Sequence, residues 1–305
     1  MEIPIVFMGT PEFSLPILKS LARAYPVVGV ITQPDQPVGR GRTLKPPPVK
    51  LMAVDLGIPV IQPRQLREPD AMQQLRQWAP QLIVVAAFGQ ILRSEVLDLP
   101  NYGCINVHAS LLPRWRGAAP INAAILHGDS HTGITIMKMD AGLDTGPILS
   151  QRSMIISSED TASSLSSKLA LLGSDLLLDI LPEYLQGRLQ PQDQDNELAT
   201  YAPMLKKEDG LLDTMQPAAV LARQVRAYHP WPGARINWQD TPLKILRAHT
   251  APLTGSLPGV RIIYQGFPAL VTTQDLLVLD EVQPAGKKPM PGNAFLRGAR
   301  EWATG

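Results

Sequence analysis

The sequence predicts an α/β protein in two parts, a mostly parallel sheet covered by helices and then a small β-barrel. Short apolar runs alternate with helical patterns through the first third of the chain. Five short strand-like runs, broken by Gly and Pro, occupy its last quarter. Between them lies a polar stretch with two prolines, GRLQPQDQDNELATYAPMLKKED at 187–209. Strand and helix in alternation imply parallel strands buried on both faces, and closely spaced short strands imply a barrel. The expected boundaries are 1–189 for the first domain, 190–209 for a linker and 210–305 for the second domain.

At 305 residues the chain is long enough for about two domains, each with its own core. A hydrophobic content of 45% with 18% charged residues belongs to a globular protein and not to a disordered one. Aromatic residues make up 5%, so aliphatic packing should dominate. A single cysteine, Cys104, excludes an intramolecular disulfide and suits a reducing compartment. It sits in an apolar run and is expected as a small core residue. The start, MEIPIVFMGTPEF, lacks the basic and cleavage regions of a signal peptide. The longest uncharged apolar stretch, Leu82 to Phe88, is far below the roughly 20 residues that span a bilayer. A cytoplasmic protein with no membrane partner is expected. The net charge of +1 hides an asymmetry: 206–305 carries 12 Lys/Arg against 8 Asp/Glu, and 1–205 carries 16 against 19. A basic C-terminal part is consistent with a polyanion partner.

Ile3 to Met8 is a buried-type strand, and Gly9-Thr10-Pro11-Glu12 turns into a helix with Thr10 as N-cap and Pro11 at the first helical position. Val27–Thr32, Val60–Gln62 and Leu82–Ala87 are further short strands, separated by helices near 14–24, 49–56 and 70–78. Residues 33–48, QPDQPVGRGRTLKPPP, form a long connection with Arg40, Arg42 and Lys45 against one acid, Asp35. Loops of this length inside a compact domain are usually functional or disordered, and three cations mark this one as a phosphate-contacting segment.

Gly103 to His108 reads as a strand, because Cys104, Ile105 and Val107 suit a buried pleat. Side chains two apart share a face and stand about 6.6 Å apart along it, so Asn106 and His108 point the same way. An amide and an imidazole at that spacing can reach opposite sides of one reacting carbon, one holding an oxyanion and the other moving a proton. Ser110-Leu111-Leu112-Pro113 then supplies an apolar wall, and Arg114 and Arg116 supply two guanidiniums, which together suit a flat ring with an anionic tail. In parallel sheets ligands bind beyond the carboxyl ends of the strands, where this loop begins. Neither a G-x-G-x-x-G fingerprint nor a phosphate-binding G-x-x-x-x-G-K-[ST] loop occurs, and HExxH and paired-cysteine spacings are missing. Nicotinamide, nucleotide-triphosphate and zinc chemistry are therefore disfavoured, and no metal is expected.

Ala118 to His127 reads as a helix, Thr132–Met139 as a strand, and Pro147–Ile156 as its partner. Between them, DAGLDTG at 140–146 is a glycine-flanked turn that can present a carboxylate into a cleft. Spacing alone does not choose between Asp140 and Asp144. Ser158-Glu-Asp-Thr161 caps a helix running to about Leu185. Beyond the polar stretch, Pro217–Tyr228 is helical, and strands follow at 234–238, 243–249, 260–263, 268–272 and 276–280.

The run HASLLPRWRG at 108–117 resembles the HxSLLPxxRG pattern of the formyltransferases that use 10-formyltetrahydrofolate. The likeness extends to GTPEF at 9–13, AGLDTG at 141–146 and HPWPGA at 229–234. The resemblance implies a Rossmann-like sheet domain, followed by an open barrel of the oligonucleotide-binding (OB) type acting as a tRNA-binding domain. It selects Asp144 over Asp140 and implies catalytic roles for Asn106, His108 and Asp144, with Ser110, Leu111, Leu112 and Pro113 lining a folate pocket. It implies 10-formyltetrahydrofolate as formyl-donor co-substrate, tetrahydrofolate as product, and a methionylated initiator tRNA as acceptor in translation initiation. Arg42 matches the arginine with which the tRNA-specific members approach the acceptor stem, with Arg40 and Lys45 beside it. A monomer is expected.

Overall fold

The structure, a computed structural model, describes residues 3–38, 43–253 and 257–303. Its contacts fall into two units. One comprises Met1–Pro120, His131–Ile155 and Ser166–Tyr201, and the other Ile121–Ser130, Ile156–Leu165 and Ala202–Gly305. Among the described residues no helix is long and apolar enough to cross a membrane.

The first unit is built on a seven-stranded sheet in the order Ile148–Ile155, His131–Lys138, Cys104–His108, Leu82–Ala86, Ile5–Gly9, Val27–Ile31, Val60–Ile61. The last five strands of that order run parallel, while His131–Lys138 is antiparallel to both its neighbours. Ile5–Gly9 and Leu82–Ala86 are buried at every position, as continuous apolar runs must be when helices cover both faces. The chain builds outward from Ile5–Gly9 to Val60–Ile61, then returns to lay Leu82–Ala86 on the other side. Ile5–Gly9 and Leu82–Ala86 therefore flank a switch point, whose carboxyl-end crevice is the favoured ligand position in open α/β sheets.

That crevice is bridged by Thr10, whose Oγ1 donates to the Phe88 carbonyl at 3.0 Å. The expectation that Thr10 caps the first helix is thereby corrected. Ser14–Ala24 is preceded by Phe13, and its N-terminus has no side-chain cap. The long helix Ala162–Leu185 carries the cap read from sequence, with Thr161 Oγ1 accepting from Ser164 N at 3.2 Å. At Gly173 it passes close over Val107 and Ile134, where a Cβ would crowd the Val107 methyl. The absence of a side chain there lets the helix press on the strand that carries Asn106 and His108.

Residues 33–48 are not a structureless connection. Gln36–Val38 and Thr43–Lys45 pair antiparallel, Gln36 opposite Lys45. Asp35, the acid of this segment, is held by Lys50 Nζ at 2.8 Å and by Gln62 Nε2 at 2.7 Å. The lysine and the amide hold its carboxyl below the usual carboxylate range. Lys45 is exposed; Arg40 and Arg42 lie outside the described residues.

Cys104 is 1% exposed, with its thiol toward the Val96 carbonyl at 3.6 Å. Burial first, then the nearby Asp98 charge, pushes the thiol up to about 12. A thiol near 9 in the unfolded chain loses its proton first there, so the folded state is favoured fully below pH 9 and progressively less as pH rises toward 12. Between pH 8 and pH 10 the urea stability should drop by up to about 1.4 kcal/mol more in the wild type than in Cys104→Ala. Equal slopes in paired urea titrations would show that the thiol has no part in alkaline unfolding.

In the second unit an antiparallel sheet runs Arg235–Trp238, Thr241–Ala251, Leu276–Pro284, Phe267–Val271, Arg261–Tyr264, an open, curled arrangement of the barrel type expected. Leu277 and Leu279 face a core with Leu221, Val225, Ile245 and Phe295, while Leu276 and Val278 face a smaller cluster with Ala251 and Val271. The alternation is the period-2 pattern of a strand with apolar residues on both faces. The larger core is not purely aliphatic. Trp302, 1% exposed, donates through Nε1 to the Ile262 carbonyl at 2.8 Å and packs against Phe295 and Trp238. Low overall aromatic content conceals this concentration. The helix Ala218–Ala227 is tied to the earlier segments of its unit by Asn122 Nδ2 donating to Ala227 O at 2.6 Å and Arg226 Nη1 donating to Asp160 O at 2.8 Å.

Candidate active site

Cys104–His108 lies between a parallel and an antiparallel neighbour, which puts Asn106 opposite Met137 and His108 opposite Thr135. Both polar side chains leave the same face of the strand, at its carboxyl end. Asp144 meets them from the turn at 140–146. Its backbone is left-handed, with φ 52°, a conformation aspartate tolerates better than most residues. Oδ1 accepts a long bond from Asn106 Nδ2 at 3.4 Å, and Oδ2 accepts from the Gly117 amide at 2.9 Å. The same Oδ2 lies 3.6 Å from His108 Nδ1, an ion-pair distance and not a hydrogen bond.

The other imidazole nitrogen is 3.0 Å from the Trp115 carbonyl. A carbonyl oxygen only accepts, so Nε2 carries a proton in this contact and Nδ1 is the nitrogen that faces Asp144. His108 is 6% exposed and the Asp144 side chain 14%. Between groups so nearly dry, the attraction of an imidazolium for a carboxylate is little screened. Asp140 serves the turn itself: its carboxylate accepts from Gly142 N at 3.0 Å and Thr145 Oγ1 at 2.8 Å.

The segment after His108 is fixed by its neighbours. Thr135 Oγ1 donates to Ser110 O at 2.7 Å and accepts from Leu112 N at 3.0 Å, while Gln151 Nε2 donates to Leu112 O at 2.8 Å. Ser110 is fully buried and its hydroxyl donates to Arg114 O at 2.6 Å; Leu112 is buried too. Leu111 and Pro113 are half-buried. Thr200 secures the far side, its Oγ1 accepting from Trp115 N and its carbonyl from Arg116 N.

The pairing of Arg114 with Arg116 as two anion-seeking cations is corrected. Arg114 is exposed and stacks over Trp115 at 4.3 Å. Arg116 is 2% exposed, with Nε and Nη2 donating to Gln194 Oε1 and Nη2 donating to Asn196 Oδ1. Its guanidinium is an internal strut. Thr135, Thr200 and Gln194 were not singled out from sequence. Thr135 left a trace, a polar residue inside the apolar alternation of TGITIMK. Gln194 and Thr200 left none, because they lie in a stretch whose composition is that of a loop.

The family model described as Formyl transferase matches residues 3–181, and that of Formyl transferase, C-terminal domain, matches 204–300. The chain belongs to the formyl transferase family. The similarity to formyl transferases extends over nearly the whole length. A methionyl-tRNA formyltransferase of Citrifermentans bemidjiense is 48% identical over 297 residues, covering 96% of this chain and 93% of the relative. A methionyl-tRNA formyltransferase of Myxococcus xanthus is 47% identical over 296 residues, covering 96% and 94%. Among solved structures, the sugar 3N-formyl transferase WlaRD, crystallised with dTDP and 5-N-formyl-THF, superimposes with a TM-score of 0.68 at 17% identity, covering 94% of this chain and 100% of that one. That last likeness is one of fold.

Proposed function

We propose that this formyl transferase moves the formyl group of 10-formyltetrahydrofolate onto the α-amine of methionine esterified to initiator tRNA. The observation that carries the reading is the convergence of Asn106, His108 and Asp144 at the carboxyl end of one strand, in a chain close to half identical to two methionyl-tRNA formyltransferases along their length.

In the proposed reaction the amine attacks the formyl carbon, and the carbonyl electrons move onto oxygen. The Asn106 amide stabilises that oxyanion. His108 accepts the proton released by the amine at Nδ1, where Asp144 stabilises the imidazolium, and returns it to N10 as the C–N10 bond breaks. An amine is already a competent nucleophile, so no covalent enzyme intermediate is needed. The segment Ser110–Pro113 lines the folate pocket, Leu111 and Pro113 as its wall and the buried Ser110 and Leu112 as support behind them. Residues 1–189 act as the catalytic domain, 190–209 as the link, and 210–305 as the tRNA-binding domain.

The test offers 10-formyltetrahydrofolate with methionylated initiator tRNA, elongator tRNA and an amino-sugar nucleotide side by side. Formylation of the sugar amine in preference to the initiator tRNA would overturn the reading. Arg42, Arg40 and Lys45 are proposed as the acceptor-stem contacts of the first domain. A guanidinium can pair bidentately where lysine offers a point charge. Arg42→Lys should therefore resemble Arg42→Ala, each losing roughly 1 to 3 kcal/mol in kcat/KM with initiator tRNA. Arg40→Ala and Lys45→Ala should lose less, equally for both tRNAs. Full initiator preference in Arg42→Lys would move discrimination elsewhere in the chain.

A further inference from the structure

We infer that Gln194 is a positioning residue for the Asp144 turn, coupling it to the buried Arg116 guanidinium through a single side-chain amide. The inference rests on the formyl-transfer reading for its consequence in turnover, though not for its geometry. The Oε1 of Gln194 accepts from Arg116 Nε at 3.1 Å and from Nη2 at 2.9 Å. Its Nε2 donates to the carbonyls of Asp144 at 2.8 Å and Gly146 at 2.7 Å. A primary amide offers two lone pairs and two protons, and all four are in use. Guanidinium only donates and carbonyls only accept, so the amide has one orientation consistent with its partners.

Three further facts make this more than a loop anchor. Asp144 holds a left-handed backbone, φ 52°, which persists only where its surroundings determine it, and Gln194 grips the carbonyl of that residue and of the one two further on. Arg116 is one residue before Gly117, whose amide donates to Asp144 Oδ2. Arg116 is in turn fixed along its backbone by Thr200. The turn is thus held at its carboxylate by Gly117 and at its backbone by Gln194, and both holds trace to the 116–117 dipeptide. Loosening the second should let the carboxylate drift from His108 without touching the folate wall at 110–113.

Gln194→Glu separates the two halves of this role. A glutamate keeps an acceptor for Arg116 and adds an opposite charge, so the strut survives. It loses both donors and sets a carboxylate oxygen against two carbonyls. The experiment compares the full-length wild type, Gln194→Ala and Gln194→Glu by kcat and KM with methionylated initiator tRNA, tetrahydrofolate Kd, thermal midpoint, and hydrogen exchange at the Gly117 amide. Expected for Gln194→Glu is a thermal midpoint at or above that of Gln194→Ala, a Kd within about threefold of wild type, and a kcat lowered by about 10- to 100-fold, as a misplacement near 1 Å produces. Gly117 exchange should be faster in both variants. Wild-type kcat and wild-type Gly117 protection in Gln194→Glu would overturn the inference and leave Gln194 as an anchor for Arg116 alone. If the wild type transfers no formyl group, the proposed activity fails, and the exchange measurement still decides the positioning role.

Discussion

Asn106→Ala is expected to lower kcat by about 10²- to 10³-fold, the loss typical of removing one oxyanion donor, while the Kd for tetrahydrofolate changes far less. The structure adds a constraint. Asn106 Nδ2 rests against Asp144 Oδ1 at 3.4 Å, so the donor must exchange a weak bond to a carboxylate for a stronger one to the developing oxyanion. His108→Ala should produce a loss of similar size. The double variant should lose much less than the product of the two, because groups that act on one transition state are not additive. Steady-state kinetics of the three variants, with tetrahydrofolate binding as the folding control, measures this. Near-normal turnover in either single variant would remove that residue from the reaction.

The second large effect is expected at Gly146. A Cβ there would overlap the carbonyl oxygen of Lys138, in the backbone of the neighbouring strand, and a backbone atom cannot rotate aside as a side-chain tip can. Gly146→Ala should destabilise the protein by about 1 to 3 kcal/mol. It should also lower kcat more than it raises KM for folate, because the displaced turn carries Asp144. Gly187→Ala is the contrasting substitution: nothing lies within 4 Å of a Cβ there, and only its positive φ of 68° opposes a side chain. Urea midpoints and kcat for both variants check this; an intact turnover in Gly146→Ala would mean that the 140–146 turn can shift without consequence for the chemistry.

The sheet and the polar pair were legible because they depend on local pattern. Continuous apolar runs such as IVFMG and LIVVA specify strands buried on both faces, and N-x-H at a strand end specifies a shared face. Asp144 needed the family resemblance, because DAGLDTG holds two carboxylates at a turn and only tertiary contact shows which one serves the turn. Thr10 was misread because an N-cap position and a bridge across a switch point both favour a small hydroxyl after a strand. The polar stretch at 187–209 hid most. Its Gln and Thr side chains look like loop solubility in composition, yet Thr200 fixes the segment after His108 and Gln194 holds the turn at 140–146, through pairings 48 or more residues apart in sequence. The interior role of Arg116 was equally hidden, since a guanidinium beside a glycine-rich turn has the same sequence whether it faces an anion or an amide.

The second unit draws Ile121–Ser130 and Ile156–Leu165 out of the sequence of the first and completes them with Ala202–Gly305. This gives the ribosome a timetable. When Leu165 has been added, the carbonyl of Asp160 still awaits Arg226, and Asn122 still awaits the carbonyl of Ala227. At about 5 to 20 residues per second, those partners arrive roughly 3 to 12 s later. Until then the two early segments are present without the helix that receives them, and a chain stalled before Ala218 would expose them.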